Sequence, residues 1–254
     1  MKLLPLGLAL ALLGIPVAAA SGTSISAPER QIMAAVNEAR AASGLVPLRS
    51  DYRLWTLADE RATAMASIDV LSHGAAGSLD GGLGGHAIQW YGYGEVIAYS
   101  TASSSAAAAH LFDMWRNSPS HWTLLTSSSF NYLGIGLAVS SSGRTYGSIV
   151  LTESKDRTGA KATLTDRSVS GDDVRWTWSG SDPALQSHTA GLRDFAVQQR
   201  TDRRGWVTVS TGTTSTTRTA INRARGHWYG LRVRARDLAG NVGPWSPELR
   251  VWVP

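Results

Sequence analysis

Apolar residues recur with a helical period in the first half of the chain. They return every three to four positions from Ile32 to Ala39 and from about Asp51 to Asp69, which is typical of helices that bury one face. Ser26 and Glu29 have the spacing of a capping box at the start of the first helix. An alanine-rich segment from Thr101 to Asn117 predicts a further helix, because alanine has the highest helix propensity.

Further along the chain, apolar and polar residues alternate with a period of two. Residues 130–139 and 146–151 flank a loop of serine and glycine and predict an antiparallel hairpin. Helices around a small sheet give an α/β/α layered domain over residues 27–154. After Glu153 only strand-type alternation remains, and repeated short strands over residues 162–254 indicate an all-β sandwich. The predicted fold class is therefore α+β, with residues 154–161 as the linker.

A glycine-rich segment, residues 77–85, follows the second predicted helix. It lacks the Gly-Lys-Ser/Thr ending of a phosphate-binding loop and does not follow a strand. We therefore interpret it as a flexible loop at the rim of a cleft, with His86 as a surface histidine.

The start of the chain predicts a signal peptide at residues 1–20. Met1-Lys2 is basic, an apolar run from Leu3 to Val17 is short for a membrane span, and Ala18-Ala19-Ala20 supplies small residues before a cleavage point. We expect a secreted protein, extracellular or associated with the cell envelope, with no transmembrane span in its mature form.

Composition limits the chemistry and points to an uneven charge. There is no cysteine, which excludes disulfides and thiolate catalysis. Residues 27–158 hold 9 Lys/Arg against 11 Asp/Glu, whereas residues 159–254 hold 14 against 8. The basic C-terminal part suits contact with the cell wall or with anionic glycans, although an arginine-rich solvated surface explains it equally. No recognition motif indicates a specific nucleic acid.

Arginines alternate along one predicted strand near the C-terminus. Arg232, Arg234 and Arg236 fall on one side of it, and Trp245 can stack between these guanidinium groups as a cation–π ladder. Both packing and binding of an anionic polymer explain this pattern. The tryptophans at 176, 178, 206 and 228 are expected to divide between core and surface, and an exposed pair would suit sugar binding.

Two histidines and a glutamate supply the candidate site. His73 lies in Ser72-His73-Gly74, Glu95 follows Gly94, and His121 follows Ser118-Pro119-Ser120 just after a predicted helix end. These residue types bind divalent metals or transfer protons. Because the three stand on separate segments, their spacing does not show that they meet.

In this order the segments resemble the bacterial form of the CAP family, also called the SCP or sperm-coating-protein-like family. Its patterns are Ser-His, Gly-Glu-Asn-Ile-Ala, Trp-x-x-Ser-Pro-x-His and a Gly-Ile-Gly strand, and the resemblance covers residues 27–154. In lacking cysteine the chain resembles bacterial members of the family, since eukaryotic members are rich in disulfides. Val96 replaces the family's Asn, which removes a polar group from the expected turn near Glu95. Ser118 replaces the second glutamate of eukaryotic members.

A second resemblance covers residues 162–254. The segment from Arg234 to Ser246, with Asp237-Leu238-Ala239-Gly240-Asn241 at its centre, is similar to the end of bacterial fibronectin type III modules. This implies a β-sandwich that acts as a spacer or an adhesion element.

The CAP resemblance implies that His73, Glu95 and His121 converge in one cleft that holds a divalent metal such as zinc. A hydrogen-bonded cluster without metal is the structural alternative. The functional hypothesis is a secreted, extracellular ligand-binding or envelope-associated protein whose ligand is unknown. The competing hypothesis is a secreted metal-assisted hydrolase acting on peptide or cell-wall substrates. Catalytic residues are left unassigned, and whether the protein is an enzyme stays open.

Overall fold

The structure is a computed structural model that describes residues 25–254. The predicted signal peptide, residues 1–20, lies outside the described residues. The first region holds five helices: α1 Ala27–Ala42, α2 Tyr52–Ile68, α3 Leu79–Gly85, α4 Ala107–Arg116 and α5 Pro119–Leu125. Its four strands are β1 Arg49–Ser50, β2 Gly92–Ser100, β3 Tyr132–Val139 and β4 Thr145–Glu153.

The four strands form one sheet in the order β1-β3-β4-β2. The predicted hairpin is confirmed, since β3 and β4 pair antiparallel from Tyr132 opposite Thr152 to Val139 opposite Thr145. Alternation places Leu133 and Ile135 against α1 and α4, while Tyr132 and Val150 belong to the apolar cluster of α2. Helices therefore cover both faces of the sheet, which confirms the α/β/α prediction.

The first two helices begin as the sequence indicates. Ser26 and Glu29 form the capping box of α1, in which each side chain accepts from the backbone N–H of the other residue. The Asp51 carboxylate caps α2 by accepting from the N–H of Arg53, and Asp69 ends that helix in a left-handed conformation.

Three local expectations were wrong. The glycine-rich segment is the helix α3, because Ser78 caps it and Leu83 is buried in the core below it. His121 lies in the short helix α5, which restarts at Pro119, and not in a loop after a helix end. Glu95 lies within strand β2, and not in a turn.

Helix α2 crosses strand β3 at very short range. A Cβ built on Gly134 would lie 2.0 Å from the backbone carbon of Leu54, and one on Gly136 would lie 2.2 Å from that of Ala58. Only glycine leaves room for this contact between two backbones. The Gly134-Ile135-Gly136 segment therefore sets the distance between α2 and the sheet.

The second region is an all-β sandwich that follows β4. Its strands are β5 Lys161–Ser170, β6 Asp173–Ser181, β7 Leu192–Thr201, β8 Val207–Thr213, β9 Thr217–Ala220, β10 His227–Asp237 and β11 Leu249–Val253. They form sheets in the orders β11-β10-β7-β8 and β5-β6-β9. Trp176 and Trp178 are buried between the sheets, together with alternate apolar residues of β7 and β10. The predicted sandwich is confirmed.

The segment between the two regions is ordered by hydrogen bonds. Asp156 is buried and accepts from the hydroxyl of Tyr132 and from the backbone N–H of Ala190. Leu185, in the β6–β7 connection, is buried in the same apolar cluster as α2. Residues 154–161 therefore pack against both regions, and the β6–β7 connection contacts the first region directly.

Among residues 25–254, the helices are all too short or too polar to cross a membrane.

Candidate functional site

Glu95 is the centre of a buried polar network at the edge of the first sheet. Its Oε1 accepts from Arg61 Nε at 2.5 Å and from the Ser148 hydroxyl at 2.8 Å. Its Oε2 accepts from Arg61 Nη2 at 2.8 Å and lies 2.6 Å from His73 Nδ1. Burial raises the pKa of this carboxyl, but the hydrogen bonds from Arg61, His73 and Ser148 outweigh burial and lower the pKa overall. Glu95 is therefore ionised and fully hydrogen-bonded at neutral pH.

Arg61 comes from the inner face of α2 and reaches Glu95 across the packing layer. Its side chain is 2 % exposed, and its remaining N–H groups donate to the carbonyl oxygens of His73 and Gly77. An arginine on the apolar face of a helix is the sequence signal that indicates such a buried pair.

His73 presents its imidazole at the surface of a cavity of about 730 Å³ that is also lined by Arg61, Tyr93 and Glu95. The side chain is 59 % exposed although its Nδ1 is fixed by Glu95. The carboxylate orients the ring, so that Nε2 is the nitrogen free for a ligand.

His121 lines a second cavity, of about 490 Å³, next to β2. The other lining residues include Leu71, Ile97, Met114, Ser118 and His110. Burial lowers the pKa of His121, and the nearby charge of His73 lowers it further. His121 is therefore a neutral imidazole at neutral pH, close enough to His73 to be influenced by its charge.

Two residues upstream of His121 differ in their exposure to this cavity. His110 lines it, with its Nδ1 at 2.8 Å from the Ser100 hydroxyl. Asp113 is exposed and does not line the cavity, so it does not supply the carboxylate that is missing at Ser118.

The arrangement does not fit Glu95 as a direct metal ligand. Each of its oxygens already has two hydrogen-bond partners, and the positive charge of Arg61 occupies the place that a cation would take. The free donors are the two imidazoles, one fewer than the three protein ligands usual for catalytic zinc. The three-residue metal site therefore stays a prediction.

An acidic cluster lies elsewhere, between the two regions. Asp156, Asp182 and Asp237 are the one group of three metal-type side chains in residues 25–254 with ligand atoms within 4.8 Å of one another. Asp237 accepts from Asn241, and Asp182 from the N–H of Gly191. Burial, together with the charges of Asp156 and Asp237, raises the pKa of Asp182. The cluster connects the linker, through Asp156, to the β6–β7 connection and to the end of β10.

The elements of the first region and the Glu95 network lie in a part of the chain whose sequence matches a known family. Residues 33–152 match the family model of the CAP domain, described as the cysteine-rich secretory protein family. Residues 33–152 form a CAP domain. No curated protein sequence matches the chain.

Three solved structures are similar to parts of the chain. An outer surface protein from Borrelia burgdorferi is 17 % identical with a TM-score of 0.46, covering 50 % of this chain and 93 % of that one. An extracellular protein containing an SCP domain from Bacillus anthracis str. Ames is 22 % identical, with a TM-score of 0.41 and coverage of 48 % and 40 %. A Fn3-like protein from Clostridium thermocellum is 28 % identical, with a TM-score of 0.26 and coverage of 38 % and 90 %. The chain thus spans less than half of the Bacillus anthracis protein.

Within the CAP domain, the two departures from the family pattern have different consequences. Val96 is fully buried in the apolar cluster beneath α1 and α4, where a polar side chain would need a partner. Ser118 lines the His121 cavity and shares a hydrogen bond with Ser120. The first change therefore contributes to the core, and the second removes a negative charge from the cavity.

Proposed function

We propose that the CAP domain binds a small amphipathic ligand outside the cell, in the cavity that His121 lines. The observation that carries the proposal is the composition of this cavity of about 490 Å³, which combines a largely apolar wall with two imidazoles. Such a combination suits a ligand with an apolar body and one polar or anionic group.

The apolar wall is open to water at its rim. Leu71 and Met114 are 41 % and 39 % exposed, while Ile97 and Trp115 are buried behind them. Covering exposed apolar side chains with the body of a ligand is favourable, because it removes that surface from water. Methionine also adapts its shape to different ligands.

The polar end of the site consists of imidazoles that differ in their surroundings. His121 is neutral at neutral pH and can accept or donate a hydrogen bond. His110 adds the second ring of this cavity, with its Nδ1 2.8 Å from the Ser100 hydroxyl. A polar group that reaches both rings would be held in one orientation.

Binding fits these residues better than hydrolysis does. In the described part of the chain, the one serine hydroxyl bonded to an imidazole is that of Ser100, which is fully buried and out of reach of a substrate. Metal-assisted hydrolysis would need the ligands that Glu95 and Ser118 do not supply. The proposed role is therefore a binding one.

Export is part of the proposal. It rests on the predicted signal peptide at residues 1–20 and on the match to a family described as secretory. Expression of the full chain in a bacterial host, followed by N-terminal sequencing of the protein in the medium, tests it. A mature N-terminus at Ser21 is expected, and retention of Met1 in the cells would contradict it.

An anionic naphthalene dye, 1-anilinonaphthalene-8-sulfonate, is a suitable first probe because it combines an apolar ring system with one sulfonate. We expect saturable fluorescence enhancement by the native protein, and its loss in Leu71→Gln/Met114→Gln. Ile221→Gln is the matched control, since Ile221 is 61 % exposed in the second region. Thermal melts followed by circular dichroism show that each variant is folded. Equal dye binding by all three proteins would overturn the proposed site.

A further inference from the structure

The outer face of the sheet β11-β10-β7-β8 presents a row of tryptophan and arginine side chains. We call it the Trp/Arg face and define it by Trp206, Trp228, Arg232, Arg234, Trp245 and Trp252. Alternation along β10 points Trp228, Arg232 and Arg234 away from the core, while Tyr229, Leu231 and Val233 are buried. The face therefore runs along β10 for about 20 Å, given a rise of ~3.3 Å per residue.

The centre of the face is a ladder of stacked side chains. The Arg232 guanidinium lies 4.4 Å from the ring centroid of Trp206 and 4.8 Å from that of Trp245. Arg234 lies 4.6 Å from the Trp245 ring, and Arg200 lies 4.6 Å from the Trp206 ring. The predicted stacking of Trp245 is confirmed for Arg232 and Arg234, whereas Arg236 pairs with Asp194. Stacking fixes the planes of the guanidinium groups and so prepares them to accept an anion.

One end of the face is an exposed aromatic pair. Trp228 and Trp252 stand directly opposite each other on β10 and β11, with ring centroids 5.6 Å apart. They are 43 % and 42 % exposed, and Arg250 lies 5.2 Å from the Trp228 ring. Two large exposed rings offer apolar faces for sugar rings, and Arg250 beside them is paired with Glu248.

Positive charge on this face is only partly neutralised. Arg200 pairs with Glu248, and Arg236 pairs with Asp194. Arg232 donates to the neutral amide of Gln198, and within residues 25–254 neither Arg232 nor Arg234 forms an ion pair. Burial lowers the pKa of Arg232, and the neighbouring charges of Arg200 and Arg234 add to this. An anion placed between Arg232 and Arg234 would relieve their mutual repulsion.

We infer that the Trp/Arg face binds an anionic polysaccharide, with sugar rings on Trp228 and Trp252 and acid groups on Arg232 and Arg234. The interspersed carboxylates of Asp194 and Glu248 favour this ligand over a nucleic acid. They accept hydrogen bonds from the free hydroxyls of sugar rings, which a polysaccharide offers on every residue and the backbone of a nucleic acid largely lacks. This inference concerns the second region and does not depend on the cavity of the CAP domain.

Affinity electrophoresis of the full chain through gels that contain polygalacturonate, hyaluronate or heparin tests the inference. Dextran serves as the neutral polymer. We expect retardation by at least one anionic polysaccharide, weakening as salt increases, and none by dextran. Arg232→Gln/Arg234→Gln and Trp228→Ala/Trp252→Ala should each weaken binding by about tenfold, as expected for the loss of two exposed contacts.

Two matched controls separate this face from the rest of the surface. Arg167→Gln/Arg175→Gln removes the same charge from exposed positions on β5 and β6, and Trp90→Ala removes a ring that is 41 % exposed in the CAP domain. Both should bind as the wild type does. Arg232→Lys/Arg234→Lys keeps the charge without planar stacking and should bind at an intermediate level.

Three results would overturn the inference. They are no retardation by any of the three anionic polymers, equal weakening in the face and control variants, or preferential binding of single-stranded poly(dT). Thermal melts confirm that each variant is folded. Loss of polymer binding with unchanged dye binding by the CAP cavity would show that the two sites are separate.

Discussion

Arg61 and Glu95 form a bidentate ion pair in which the two side chains are 2 % and 3 % exposed. The pair joins α2 to β2, and Glu95 in turn fixes the imidazole of His73. The candidate site of the CAP domain therefore depends on an arginine that makes no contribution as a ligand.

Replacing Arg61 by Met should destabilise the protein strongly. The substitution leaves Glu95 buried without its cation, and losing one partner of a buried pair typically costs about 3–5 kcal/mol of the free energy of unfolding. Urea unfolding at pH 7 measures the loss. Because the pKa of Glu95 is lowered in the folded state, the pair stabilises above the usual carboxyl range and this contribution is lost as pH falls through the lowered pKa. The difference in free energy of unfolding between the wild type and Arg61→Met should accordingly become smaller at acidic pH.

The double variant Arg61→Met/Glu95→Gln is the control for that result. It removes both charges, so it should recover part of the stability that Arg61→Met loses. If the double variant lost as much free energy of unfolding as the two single variants together, breaking the ion pair would not be the cause of the loss in Arg61→Met.

Zinc titration tests the metal hypothesis directly. We expect Zn²⁺ to bind the wild-type protein weakly at pH 7.5, because among the three predicted ligands only His73 and His121 have a free ligand atom, and we expect His73→Ala/His121→Ala to abolish that binding. Isothermal titration calorimetry, together with metal analysis of the purified protein, provides the measurement.

Glu95→Gln distinguishes a ligand from a residue that orients one. Tight stoichiometric binding by the wild type that Glu95→Gln abolishes would show that Glu95 leaves Arg61 to coordinate the metal, contrary to the geometry. In either case binding should weaken toward pH 5, as the imidazoles take up protons.

The sequence predicted those features that depend on near neighbours. The capping box of α1 and the β3–β4 hairpin are encoded within a few residues, and both are present. The helix α3 was missed because its glycines oppose a helix, whereas the buried contacts of Leu83 and the Ser78 cap outweigh that propensity.

The candidate site could be predicted only in part, because its contacts join residues that are far apart in the chain. Family patterns pointed to His73, Glu95 and His121, but the partner of Glu95 lies 34 residues earlier on another element. Arg61 is one of the buried residues of α2, but the spacing of these residues does not identify what its side chain would meet there. Contacts between distant elements depend on the fold as a whole, so no local pattern of residues encodes them.

Alanine at Gly134 or Gly136 should destabilise the CAP domain severely. The added Cβ would meet the backbone of α2 at 2.0 Å or 2.2 Å, so the helix would have to move away from the sheet. Overpacking of a core usually costs about 1–3 kcal/mol, and a clash with backbone cannot be relieved by changing a rotamer. We expect a loss of at least that size in urea unfolding, or a protein that does not fold.

Gly84→Ala is the matched control for this comparison. Gly84 is exposed in α3, and a Cβ there would have no atom within 4 Å. Alanine in that helix should leave stability unchanged or raise it by about 0.5–1 kcal/mol. Equal losses of stability for Gly84→Ala and Gly134→Ala would show that glycine at position 134 is not required for the close approach of α2 and β3.

A pair of acidic residues between α1 and α2 should make stability depend on pH. Burial raises the pKa of Asp59 to about 6, with further contributions from the charge of Glu29 and a hydrogen bond to it. The unfolded chain has the ordinary Asp value of 3.8, so the folded protein binds the proton more tightly. Stability from this group is therefore complete below pH 3.8 and is lost as pH rises through about 6.

Asp59→Asn should consequently stabilise the protein at pH 7.5 but not at pH 4, because the amide cannot ionise beside Glu29. Melting temperatures of the wild type and the variant at both pH values, followed by circular dichroism, measure the difference. Asp113→Asn removes a charge from an exposed position of α4 and should show no such dependence. The same gain for Asp59→Asn at both pH values would mean that the substitution improves packing or helix propensity, and that ionisation of Asp59 does not oppose folding.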